Sequence, residues 1–155
     1  NFSYNRLIGK IPLEFGFLSK LQTIIIHYNN LTEGISSFVN LSSLVELSAA
    51  NNNFGGSIPD ALGLLTNLKI MALGINKFSG TIPPTIFNLS SITVFDVTDN
   101  QIRGSLPSNL GITLPNLEFL GLGYNQFTGF IPVSVVNASN LLYLLFPENK
   151  FTGKV

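Results

Sequence analysis

The sequence predicts an α/β-type repeat solenoid, with short strands stacked as one parallel sheet on a concave face and 3₁₀ turns and loops outside. Two observations carry this. Asparagine recurs at Asn5, Asn29, Asn52, Asn76, Asn100, Asn125 and Asn149, spaced 23 to 25 residues apart in a chain of 155. From Asn29 on, each is preceded by the frame leucine-x-x-leucine-x-leucine-x-x-asparagine or its apolar variants, seen in Leu117 to Asn125 and, with Met71 for one leucine, in Leu68 to Asn76. The chain reads as one solenoid segment over residues 1–155, with about 6.5 repeats.

The residues before each asparagine alternate as a half-buried strand requires. Ile24 and Ile26, Leu47 and Ala49, Phe95 and Val97, and Leu144 and Phe146 are expected to face inward. Repeated strands should pair in parallel at ~4.8 Å, so that seven rungs advance about 29 Å. The asparagines then turn the chain. Their amides both donate and accept, and are expected to form a structural ladder that satisfies backbone groups of adjacent rungs.

Two residues further on stands a second apolar column: Leu7, Leu31, Phe54, Phe78, Ile102, Phe127 and Phe151. Glycine follows at Gly9, Gly56, Gly80, Gly104, Gly129 and Gly153, then an aliphatic residue, then Pro12, Pro59, Pro83, Pro107 and Pro132. Proline gives no ladder hydrogen bond, so this flank should hold a short strand or extended turn. The rest of each repeat has room only for 3₁₀ or single helical turns. Repeat two departs from the frame, with Glu33 at the glycine position and Ser36 replacing or deleting the proline, and a local irregularity is expected there. Repeat five gains one residue through Gly111 to Pro115.

The motif asparagine-x-apolar-x-glycine-x-isoleucine-proline resembles the plant-specific class of leucine-rich repeats along essentially the whole chain. Gly104 to Leu117, Phe127 to Pro132 and Asn137 to Leu141 resemble a narrower subclass, which includes immune receptor kinases sensing bacterial flagellin and elongation factor Tu. The resemblance implies an extracellular ectodomain segment of a receptor-like serine/threonine kinase, with N-glycans and with ligand and co-receptor contacts on variable strand residues. Any kinase or membrane anchor would lie outside this segment. Neither end shows a polar-faced capping unit, so the chain is expected to be a segment of a longer solenoid. A secreted inhibitor of a cell-wall-degrading enzyme and a receptor-like protein without a kinase are the competing readings.

Charge sharpens the expected surface. Eight basic residues balance eight acidic ones, which argues against a nucleic-acid partner. The strands nevertheless hold Glu46, Asp96, Asp99, Glu118 and Glu148 against Lys69 alone, a formal −4, while Lys10, Lys77, Arg103 and Lys150 fall in later turns. Such a face would steer a basic peptide or protein. The candidate ligand-binding residues on the concave face are Glu46, Ile70, Asp96, Asp99, Phe119, Tyr124, Tyr143, Leu145 and Glu148, since exposed aromatics often anchor interfaces.

N-glycosylation sequons stand at Asn1, Asn30, Asn40, Asn88 and Asn137. Asn40, Asn88 and Asn137 precede a strand's first leucine-type residue, on the expected outer side, where glycans would leave the concave face open. Catalysis, a metal and a cofactor find no support: His27 is the lone histidine, and cysteine is absent. Gly121-Leu-Gly123 reads as repeat filler, lacking the lysine of a phosphate loop.

Overall fold

The computed structural model describes residues 1–154 as a repeat solenoid with two parallel sheets. The concave sheet stacks Thr23–Ile25, Glu46–Ser48, Ile70–Ala72, Val94–Asp96, Phe119–Gly121 and Tyr143–Leu145 in chain order. Its register places Glu46, Ile70, Val94, Phe119 and Tyr143 side by side. The next residue of each inner rung (Leu47, Met71, Phe95, Leu120) is wholly buried, as a pleat with one covered face demands.

The short strands expected on the flank stand just ahead of the prolines and pair into a second sheet. Ile8–Gly9, Asn30–Glu33, Asn53–Ser57, Lys77–Thr81, Gln101–Gly104, Gln126–Phe130 and Lys150–Thr152 pair in sequence order. Between the sheets run the buried columns. Phe54 and Phe78 stack at 6.3 Å between ring centroids, and Phe127 and Phe151 at 6.0 Å. A fully buried phenylalanine contributes roughly 1.5–3 kcal/mol by removal from water, so this column is a principal source of stability. On the outermost rungs the inward residues have a neighbour on one side only: Leu7 is 41% and Leu144 40% exposed, against the expectation of burial.

The asparagines join rung to rung. Asn76 Oδ1 accepts the Phe54 N–H at 3.0 Å, and its Nδ2 donates to Ala49 O in the preceding rung and to Leu73 O in its own, both at 3.1 Å. The same three-way pattern recurs at Asn29, Asn52, Asn100, Asn125 and Asn149. No buried side-chain polar atom among the described residues lacks a partner, so the chain turns inside its own core without stranding a polar group.

The turn itself is left-handed. The residue before each asparagine, from Tyr4 to Glu148, has φ between 51° and 56° whatever its side chain. The glycines four residues past the asparagine also have positive φ, and Glu33 is held there at 64°.

Among the described residues five 3₁₀ turns close the outer side, and most begin on a proline whose carbonyl accepts the first N–H, as Pro59 does from Leu62 at 3.1 Å. In repeat two Ile35 takes that role towards Phe38, so the proline is deleted and the turn shortens to Ser36–Phe38. In repeat five the extra residue widens the turn into an α-helical turn, Leu110–Thr113.

Candidate recognition surface

Each concave strand is only three residues long, and this divides the candidate residues into two groups. Glu46, Ile70, Asp96, Phe119, Tyr143 and Leu145 lie on strands. Asp99, Tyr124 and Glu148 do not: they occupy the left-handed turn position, exposed along the rim where the chain leaves the sheet. The structure therefore gathers the strand residues on one face and sets the other three apart from them.

On that face Ala72, Val94, Asp96, Glu118, Phe119, Leu142 and Tyr143 enclose a hollow of about 340 Å³. Phe119 and Tyr143, neighbours in register, form one wall with ring centroids 5.9 Å apart. Asp96 also lines the hollow. Its Oδ1 accepts the Thr98 N–H at 2.9 Å, which fixes the carboxylate over the sheet. Glycines on the rungs to either side leave the space. A Cβ on Gly121 would stand 2.6 Å from Asp96 Oδ1 and 2.9 Å from Phe119 Cε1, and one on Gly74 would stand 3.1 Å from Asp96 Oδ2. What reads as filler in the sequence is the bed for a half-buried carboxylate.

Glu46 and Ile70 continue the first column towards the N-terminal end, and Leu145 lies in register with Gly121 beyond Asp96. Sequence reasoning left Glu118, Ala72, Val94 and Leu142 out of the site. Glu118 and Leu142 stand one position before the first exposed column, at the strand entrance, where alternation alone gives no reason to face the hollow. A second aromatic group was also missed. Tyr4 and Tyr28 stack at 4.5 Å, with the His27 ring edge-on to Tyr4 at 5.3 Å. The 24-residue spacing of the two tyrosines at one repeat position was the available signal. His27 Nδ1 lies 3.1 Å from Ser48 Oγ, and no group of three His, Cys, Asp or Glu able to hold a metal occurs among the described residues.

Asn40, Asn88 and Asn137 are exposed on the outer turns, at one position of alternate rungs. The carbonyls of Asn40 and Asn88 accept from Ser42 and Ser90 N–H at 3.0 Å, which makes a tight turn at each. Asn30 is exposed at the start of a second-sheet strand. No helix among the described residues is long and apolar enough to cross a membrane.

Comparison with known proteins agrees with this geometry. Residues 43–65 and 116–138 match the family model described as Leucine Rich Repeat. Receptor-like protein 39 of Arabidopsis thaliana is 35% identical over 69 residues, 43% of this chain and 8% of that protein. The crystal structure of PEPR1–AtPEP1 is similar with a TM-score of 0.94 and 34% identity, over 100% of this chain and 22% of that one. The Arabidopsis receptor kinase HAESA, in complex with the peptide hormone IDA and the co-receptor SERK1, matches with a TM-score of 0.94 and 32% identity, over 99% of this chain and 26% of that one. The fold and surface thus define a leucine-rich-repeat solenoid with an open concave sheet. The known proteins it is similar to are plant leucine-rich-repeat receptors, and it spans about a quarter or less of their length.

Proposed function

We propose that this chain is an extracellular ligand-recognition segment of a plant leucine-rich-repeat receptor kinase, binding a peptide or protein across its concave sheet in immune or developmental signalling. The observation that carries the reading is the open concave face itself. Six strands in register present aromatic side chains and a surplus of carboxylates. A surface of this kind attracts a basic extended ligand over distance and then anchors it on apolar side chains.

The likeness to PEPR1 and HAESA, solved with a peptide and with a peptide hormone plus co-receptor, supports a peptide or protein ligand and a co-receptor as partners. The resemblance of Gly104 to Leu141 to flagellin and elongation factor Tu receptors favours a receptor over a secreted inhibitor of a cell-wall-degrading enzyme. The match to Receptor-like protein 39 supports a second reading, a receptor-like protein without a kinase. In either case this segment binds and does not catalyse. Glycans on Asn40, Asn88 and Asn137 would coat the outer turns and leave the sheet free, and Asn30 is a fourth acceptor.

Neutralising the face tests the reading. The triple variant E46Q/D96N/E118Q should lose affinity for an arginine- and lysine-rich peptide pool and lose the salt dependence of binding. Unchanged affinity and salt dependence would remove the acidic face from recognition.

A further inference from the structure

We infer that the hollow between Asp96 and Tyr143 is a subsite for a single arginine side chain of an extended peptide; this rests on the concave sheet being the recognition face. Its size and lining select the occupant. At about 340 Å³ it has room for one long side chain. Ala72 and Val94 offer apolar surface for an aliphatic stem, and long cationic side chains bury such stems readily.

The carboxylates decide the rest. Covering half-buried Asp96 with a purely apolar group would strip its water and supply no counter-charge, which is costly. An acidic occupant would face both Asp96 and Glu118. A cation resolves this, and a planar guanidinium does so best, since it can stack on the Phe119–Tyr143 wall while donating to a carboxylate. Asp96 is poised for that role. The Thr98 N–H holds its Oδ1, and the glycines at 74 and 121 keep the space around both oxygens clear.

The test is an amide-shift titration of the isotope-labelled chain with the capped pentapeptide Gly-Gly-Arg-Gly-Gly and its citrulline counterpart, which has the arginine shape without the charge. Expected are shifts concentrated at Ala72, Val94, Asp96, Phe119 and Tyr143, with affinity about tenfold lower for citrulline and for D96N. Because the citrulline exchange leaves the protein untouched, a folding defect in D96N cannot produce that difference. Equal binding of the two peptides, or no shifts up to about 10 mM ligand, the weak-binding range where a lone anchor should register, overturns the arginine subsite. Shifts confined to other concave strands overturn it too while sparing the concave reading. Shifts confined to the outer turns overturn both.

Discussion

Asn100 Oδ1 accepts the backbone N–H of Phe78 at 2.9 Å, across the gap between two rungs. Its amide nitrogen also donates to Leu73 O and Val97 O, at 3.1 and 3.0 Å. One side chain thus serves three backbone groups that the turn removes from water. Asn100→Ala strands them together, and the expected loss is about 2–4 kcal/mol, read as a lower urea midpoint. A change within 0.5 kcal/mol would show that water substitutes for the amide.

Ile75 sits in the left-handed turn with φ of 55°, a conformation that β-branched residues resist. Its side chain is half exposed, so little packing is at stake. Ile75→Asn should therefore stabilise the chain by roughly 1 kcal/mol, and the reverse exchange, Asn51→Ile at the equivalent turn, should destabilise it by a similar amount. Thermal melts of the two variants check the opposed signs.

Glu33 occupies the position where the other repeats carry glycine, and it has φ of 64°. Glu33→Gly relieves the strain, although glycine costs more entropy on folding. The net expectation is a gain of about 0.5–1 kcal/mol in chemical denaturation. A loss would mean that the glutamate side chain contributes to the flank.

Two glycines separate structure from recognition. A Cβ on Gly111 would run into the Ser134 carbonyl oxygen, which is backbone of the next repeat and cannot swing away. Gly111→Ala should cost about 1–3 kcal/mol of stability. A Cβ on Gly121 meets side-chain atoms of Asp96, Phe119 and Thr98, which can move. Gly121→Ala should keep the fold and weaken binding of an arginine peptide, so stability and affinity measured on both variants should diverge.

Glycosylation separates the two faces. Expressed through a secretory pathway, the chain should carry glycan on at least two of Asn40, Asn88 and Asn137, seen by mass spectrometry before and after enzymatic deglycosylation. Unmodified asparagine at all three would remove the glycan-coated outer face.

Much of this was legible because a solenoid reuses one solution. The asparagine period, the phenylalanine column and the glycine positions each follow from the same local geometry, repeated until chance is excluded. The left-handed residue before each asparagine was not legible, since Tyr28, Asn51, Ile75 and Asp99 share no chemistry there; the ladder dictates the backbone and the side chain only tolerates it. The hollow was partly legible. Asp96, Phe119 and Tyr143 follow from strand alternation, whereas Glu118 and Leu142 enter from the strand entrance. Asp99, Tyr124 and Glu148 were placed with the strand residues because a three-residue strand cannot be told from a six-residue one by alternation.

The most direct measurement is a hydrogen-exchange footprint of the chain with peptides of about 12 residues, selected on it from an unbiased display library; such peptides span roughly 40 Å when extended. Expected are arginine-bearing sequences, with protection over residues 46–48, 70–72, 94–96, 119–121 and 143–145 that weakens as salt rises. Protection over the outer turns at 60–64, 86–88 or 133–137, or salt-independent binding of neutral and acidic peptides, would contradict recognition by the concave face.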